Sequence, residues 1–182
     1  MRNRVLILAA AALMPFAAAS AQQVAAPVTP ATPHSVISIQ PINAVFTAYS
    51  AEYEHQTGAA VTFGVGGTFL NAGDGIDEVT YKSGDLKLRY YPSGTALIGF
   101  SFGGTAGFSS VSGTDFNGAK TSVSGPSLGV LLEYQWLMGL ERNFSVALGI
   151  GAKAVFVKDN QFTSDNFVTR YPTARISVGY AF

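Results

Sequence analysis

Alternation of side chains with a period of two residues runs through most of this chain, and it restricts the fold more than any other feature. In the segment SLGVLLEYQW the bulky apolar residues share one side: Leu128, Val130, Leu132, Tyr134 and Trp136. The segments AVTFGVGGTF, DLKLRYYP, LIGFSFGGTAGF, NFSVALGIGAK and ARISVGYAF alternate in the same way. Successive side chains point to opposite faces in a β-strand, whereas a helix repeats every 3.6 residues, so the pattern predicts an all-β chain.

The other face of these strands is small, polar or charged, and this separates two kinds of barrel. A water-soluble barrel with an apolar interior, such as a lipocalin, places larger polar residues outside and does not need glycine opposite its apolar face. Here glycine is frequent, at 20 residues, and only 12% of the residues are charged. A membrane barrel, with lipid against its bulky face and a narrow polar interior, accounts for both observations. The sheet then has to close, because unpaired backbone groups in lipid cost several kcal/mol each.

The lengths of the connections predict the number of strands. Three polar segments are long, NAGDGIDEV, SSVSGTDFNGAKTSVS and KDNQFTSDNFVTR, and three turns are short, QTGA, PSGT and MGLERN. Barrels of this kind keep short turns in the periplasm and long loops outside. Six connections join seven strands, and a chain that starts in the periplasm needs one more. The predicted fold is an eight-stranded antiparallel transmembrane β-barrel with an up-and-down meander, occupying residues 35–182.

The first hairpin of this barrel is predicted within HSVISIQPINAVFTAYSAEYEHQ. Its ascending strand contains Pro41, which lacks a backbone N–H, so we expect an edge-like or bulged position there. The bend is expected between Phe46 and Tyr49.

The start of the sequence predicts export. Residues 1–21 have the features of a secretory signal peptide: Arg2 and Arg4, a short apolar run and the small-residue cleavage site ASA. An uncleaved membrane anchor is the alternative, but the apolar run is short and Pro15 interrupts it. The proline-rich residues 22–34 are predicted to form an extended periplasmic lead.

Composition excludes several classes of function. The chain has no cysteine, which excludes disulfides, thiolate metal sites, a cysteine nucleophile and a lipidated N-terminal cysteine. Removal of the leader would leave nine basic and eleven acidic residues, a net charge of −2. A chain with this balance has no basic surface for a nucleic acid, and no nucleic-acid partner is expected.

Seven charged residues are predicted to point into the barrel. They form the candidate lumen charge network: Glu52, Glu54, Lys87, Arg89, Glu133, Lys153 and Arg175. An eight-stranded barrel has an interior that side chains can fill, and buried charges must be paired. We therefore expect salt bridges that close the lumen, with a polar channel as the alternative.

The sequence contains few residues that could form an enzyme site or a metal site. Two histidines are present, and His55 lies at a predicted strand end near Glu54, but Thr57 replaces the serine that a deacylase places two residues from its histidine. The acidic loop residues Asp77 and Glu78, with Asp74, do not have EF-hand spacing. We expect no catalytic residues, no metal and no cofactor.

Aromatic residues near the predicted strand ends are typical of interfacial girdles, which anchor a barrel in lipid. Those predicted to belong to a girdle are Tyr49, Tyr53, Tyr90, Tyr91, Tyr134, Trp136, Tyr171 and Tyr180.

Residues 36–182 resemble the small outer-membrane β-barrel proteins of bacteria, and within them the barrels of the domain-of-unknown-function type. The resemblance is carried by ISIQPINAVFTAYSAEYEHQ with its TG turn, by LKLRYYP and by ARISVGYAF. It implies that Val178, Tyr180 and Phe182 form the signal that the barrel-assembly machinery reads. It further implies outer-membrane lipid and that machinery as partners and the bacterial outer membrane as location, but it implies no reaction.

The expected role is that of an integral outer-membrane barrel with a structural or surface-interaction function and an unidentified loop partner. A narrow passive pore for small polar solutes and a lipid-modifying outer-membrane enzyme are the alternatives.

Overall fold

The computed structural model describes residues 32–45, 47–73, 79–114, 120–157 and 167–182. Within these ranges the chain forms eight strands and one short helix. The strands are β1 (Ser35–Ile39), β2 (Ala48–Gly58), β3 (Val61–Ala72), β4 (Val79–Tyr90), β5 (Gly99–Thr114), β6 (Lys120–Met138), β7 (Phe144–Val157) and β8 (Phe167–Ala181). The helix α1 (Pro41–Val45) connects β1 to β2. No helix in these ranges is long and apolar enough to cross a membrane.

Each strand pairs with the next in antiparallel orientation, and β8 pairs with β1, so the sheet closes into a barrel. The register can be followed around it along Ser38, Glu52, Gly66, Asp85, Gly107, Ser127, Val155 and Thr169. Ser38 itself pairs with Gly179, ten residues beyond Thr169 on the same strand. This stagger tilts the strands and brings residues that are distant in sequence to one height in the lumen.

The two faces of the sheet have opposite exposure. Bulky apolar side chains point outward, and Val130 and Ile150 are 66% and 64% exposed. Polar side chains point inward, and Ser101 and Thr62 are 0% and 1% exposed. The barrel therefore has an apolar exterior and a polar interior, as the alternation predicts.

The prediction for the first hairpin was wrong at Pro41. This residue is not in a strand but opens α1, where the missing N–H is not needed and the ring favours the helical φ. Asn43 ties α1 to β2, since its amide donates to the Ser50 hydroxyl at 2.9 Å and to the Gln40 side chain at 3.1 Å. The turn into β2 is completed at Thr47, and the predicted bend at Phe46 lies outside the described residues.

The predicted long loop between β5 and β6 is shorter than expected. Strand pairing continues to Thr114 and Lys120, so only residues 115–119 separate the strands. The alternation continues there with the opposite polarity, because Val111 and Val123 point inward and serines point outward. The remaining centres of the long connections, residues 74–78 and 158–166, lie outside the described ranges.

The turn between β4 and β5 closes the opposite end of the barrel. It runs from Tyr91 to Ile98, longer than the predicted PSGT. Tyr91 and Leu97 are both 0% exposed and pack with Val36 and Ala181. The turn thus fills the short-turn end of the lumen instead of leaving it open.

Candidate functional site

The lumen charge network is centred on Glu52. Its carboxylate accepts hydrogen bonds from Lys87, Arg89 and Arg175, with Arg175 Nη1 at 2.9 Å. Glu52 lies in β2, two of the cations lie in β4 and the third lies in β8, and the closure of the barrel brings them together. Glu52 and Arg89 are buried, at 5% and 2% exposure, so each charge depends on its partners for compensation.

The other two carboxylates complete the shell around the cations. Glu54 pairs with Arg89, and Glu133 lies 3.6 Å from Arg89 Nη2. Glu133 Oε2 also lies 3.0 Å from Arg175 Nε, but without hydrogen-bond alignment, so this contact is ionic. Three carboxylates therefore face three cations, and this part of the lumen carries no net charge.

One acidic member of the interior was missed by the sequence prediction. Lys153 Nζ donates to both carboxylate oxygens of Asp85, at 2.7 and 2.9 Å. The signal was present, because Asp85 alternates in step with Lys87 and Arg89 on β4. The seven predicted residues also carry four positive and three negative charges, and Asp85 supplies the missing anion.

Glycines on the inner face make room for the network. Gly149 pairs with Glu133 on one side and with Arg175 on the other. A Cβ at Gly149 would lie 3.0 Å from Arg175 Cγ and 3.1 Å from Glu133 Oε2. The two charged side chains therefore meet across a position where an added Cβ would require them to shift.

Neutral polar groups extend the network toward the short-turn end. The Tyr91 hydroxyl lies 3.0 Å from Glu54 Oε1 and 2.9 Å from Gln135 Oε1, and Gln135 donates to Ser145 at 3.1 Å. Burial, and next the Glu54 carboxylate, raise the pKa of the Tyr91 phenol above its usual range, so the phenol remains a donor. Thr62 also donates to Glu54. These contacts satisfy charges that would otherwise be buried without hydrogen bonds.

Tyr91 and Tyr171 do not belong to an outer girdle. Tyr91 is fully buried in the turn, and the Tyr171 hydroxyl faces that of Tyr81 inside the barrel at 3.4 Å. The other predicted girdle residues are exposed on the outer surface: Tyr49, Tyr53, Tyr90, Tyr134, Trp136 and Tyr180.

His55 lies on the outer face, opposite to Glu54. Its Nδ1 is 2.8 Å from the hydroxyl of Ser35, which is itself 5% exposed. In the part of the chain that the structure describes, the other hydrogen-bond partner of the Ser35 hydroxyl is the Tyr53 hydroxyl, at 3.2 Å. Within the described ranges there is no group of three or more metal-ligating side chains. The acidic loop with Asp74 falls outside them.

Two residues of the predicted assembly signal, Val178 and Tyr180, lie at the end of β8, and Phe182 follows the strand. Val178 pairs with Ile39 and Tyr180 with Ile37, so both lie on the seam that closes the barrel. The Phe182 carbonyl accepts from the N–H groups of His34 and Ser35 at 2.9 and 2.8 Å. This geometry ties the chain end to β1.

Comparison with known proteins supports the architecture. No protein-family model and no curated protein matches the chain, whereas four chains of solved structures do. One is the N-terminal β-barrel domain of Pseudomonas aeruginosa OprF, at 15% identity and a TM-score of 0.47, covering 82% of this chain and 98% of that one. Another is Ail, the attachment invasion locus protein of Yersinia pestis, at 14% identity and a TM-score of 0.50, covering 82% and 99%.

At 14% identity the likeness to Ail concerns the fold alone. Together with the closed register it confirms the predicted class: an all-β, eight-stranded antiparallel barrel with an up-and-down meander.

Proposed function

We propose that this protein is an integral outer-membrane barrel with a structural or surface-interaction role and a lumen that does not conduct. The observation that carries the proposal is the neutralised charge network across the lumen. Four anions and four cations pair there, and Arg89 and Glu133 are only 2% and 3% exposed. A network of this kind braces the strands and leaves little space for a hydrated solute.

Exposure of the outer face supports the membrane location. Large apolar side chains, including Leu128, Val130 and Ile150, are more than half exposed around the barrel. In water such a belt would be an aggregation liability, and in lipid it is the expected surface. The predicted signal peptide in residues 1–21 supplies the export that this location requires.

The surface role is supported by the position of the three connections that were predicted to be long. The connections β3–β4, β5–β6 and β7–β8 leave from the same end of the barrel, opposite the end that the Tyr91–Ile98 turn fills, and would face the outside of the cell. One of the similar structures is that of Ail, which is named as an attachment invasion locus protein. Attachment is therefore a role to test for this chain.

Conductance tests the closed lumen. The protein is refolded into a planar lipid bilayer, and folding is verified by the mobility of the unboiled sample on a gel. We expect no discrete current steps from the natural chain. A variant that combines Glu133→Ala and Arg175→Ala with Tyr91→Ala and Leu97→Ala keeps the net charge and clears both the middle of the lumen and its short-turn end, so it should show steps. Steps of equal size in both would establish the pore alternative.

Replacement of residues 115–119 by a Gly-Ser linker tests the surface role. The paired ends of β5 and β6 stay in place, so the barrel should keep its heat-sensitive gel mobility. Cells that display the variant should adhere less to host-type surfaces than cells that display the natural chain. Equal adhesion of the two, and of cells without the protein, would exclude this connection as an attachment surface.

A further inference from the structure

The polarity of the sheet reverses at the long-loop end. In the middle of the barrel the inner face carries charges. Toward the long-loop end, the lumen is lined by valines: Val111 and Val123, with Val155 and Val157 on β7. On the outer face of this end, serines on β5 and β6 and the exposed residues Lys82 and Arg170 interrupt the apolar belt, whereas Phe156 on β7 remains apolar and exposed. An apolar lumen within a largely polar wall is the arrangement of a barrel that stands in water and encloses a ligand.

These valines surround a cavity of about 440 Å³, which we name the mouth cavity. Its volume lies within the range of roughly 300–1,000 Å³ that is typical of small-molecule sites. The valines have not collapsed onto one another, since Val111 and Val123 are still 45% and 42% exposed. No charged residue lines the cavity among the described part of the chain.

Hydroxyl groups form the floor of the mouth cavity. The Tyr81 hydroxyl lies 3.4 Å from that of Tyr171 and 3.3 Å from that of Ser109. These distances are at the long end for O–H···O hydrogen bonds, so the hydroxyls retain capacity for a shorter bond to another group. The floor thus offers a polar end to a cavity with apolar walls.

Below the floor a second cavity of about 360 Å³ contains the Asp85–Lys153 ion pair and shares both tyrosines. Since Lys153 is already held by both Asp85 oxygens, no unpaired charge attracts an ion into the mouth cavity. A neutral or weakly polar molecule therefore fits this place better than a charged one.

We propose that the mouth cavity is a binding site for a compact amphiphile, an apolar body with one hydroxyl or carbonyl group. The body packs between the valines, and the polar group bonds to the hydroxyls of Tyr81 and Tyr171. The site goes beyond the proposed structural role and does not depend on whether the lumen conducts.

The test uses the complete folded barrel in lipid nanodiscs, with NMR signals from labelled valine methyl groups. The probes are 1-naphthol and naphthalene, which share an apolar body and differ by one hydroxyl. Val111 and Val155 report on the cavity, and Val130, exposed on the outer face, reports on partition into lipid. We expect saturable shifts at the cavity valines and, at Val130, only shifts that grow in proportion to the probe.

The hydroxyl contact is tested by a cycle of probes and variants. One net hydrogen bond should make 1-naphthol bind about two- to tenfold tighter than naphthalene. Tyr171→Phe should reduce this difference, and Tyr81→Phe combined with Tyr171→Phe should abolish it, with the affinity for naphthalene unchanged; Tyr49→Phe on the outer face should change neither. Tyr81→Phe serves as the second single variant if Tyr171→Phe does not fold.

Two outcomes would overturn the site. One is an equal, unsaturable shift at Val130 and the cavity valines, which would mean partition into lipid only. The other is contact between the valine methyls and the protein's own aromatic side chains with no response to either probe, which would mean that the chain itself fills the cavity.

Discussion

At the scale of the residue, the decisive feature is a set of charges that are buried and mutually compensated. Removing one partner of such a set leaves the others without compensation in a medium of low polarity. Glu52 is the most connected member, because it bonds to three cations from two other strands.

Glu52→Gln is therefore expected to lower the free energy of unfolding by about 3–5 kcal/mol. The measurement is urea unfolding in lipid vesicles, followed by the gel mobility of unboiled samples. Glu141→Gln is the matched control, since Glu141 is exposed in the turn between β6 and β7. Equal midpoints for the two variants would contradict a supporting role for the network.

Gly149→Ala is expected to destabilise the barrel by about 1–3 kcal/mol, because the new methyl group crowds Arg175 and Glu133. Gly84→Ala is the control: it lies on the outer face of β4, where a Cβ meets nothing within 4 Å. The same unfolding assay applies. If Gly84→Ala lowered the free energy of unfolding as much as Gly149→Ala does, the effect would come from the backbone and not from the charge network.

Alternation predicted which charges point inward, because it depends on nothing beyond the strand period. It could not predict which of them meet. Glu52 and Arg175 are 123 residues apart, and their contact follows from the stagger of the closed barrel. Asp85 was omitted although its position was apparent, and charge neutrality of the interior would have recovered it.

At the scale of the element, the strands follow the sequence pattern and the connections depart from it. The length of the first segment, which is sufficient for two strands, predicts Pro41 in a strand, but the chain forms a one-turn helix at this residue. The strands β5 and β6 extend further than predicted, because above the apolar belt the polarity of the alternation reverses and no longer marks the outer face.

The end of β8 allows the assembly signal to be separated from barrel closure. Deletion of Phe182 removes a main-chain oxygen that accepts hydrogen bonds from the N–H of Ser35 in β1 and from the N–H of His34 just before it, whereas Phe182→Ala removes only the ring. We expect both variants to reach the outer membrane poorly in cells, because both lack the aromatic residue. Refolding into vesicles without the assembly machinery should be impaired by the deletion alone.

The amounts of folded barrel in membranes and in vesicles measure this difference. Normal recovery of Phe182→Ala from cells would contradict the assembly signal, and normal refolding of the deletion variant would contradict the role in closure.

At the scale of the molecule, the barrel combines three zones: a plugged short-turn end, a charged middle and an apolar mouth. Tyr91 and Leu97 fill the first, Glu52 and Arg89 lie in the second, and Val111 belongs to the third. The zones coexist in one narrow barrel because lipid surrounds only its apolar belt. This combination of zones therefore requires that the barrel is a closed sheet and lies in a membrane.

The most direct test is fractionation of cells that express the full chain, with the outer-membrane fraction run on a gel with and without boiling. We expect recovery in the outer membrane and a faster band in the unboiled sample, because a closed barrel resists unfolding by detergent. A soluble periplasmic protein with the same mobility in both samples would contradict this expectation.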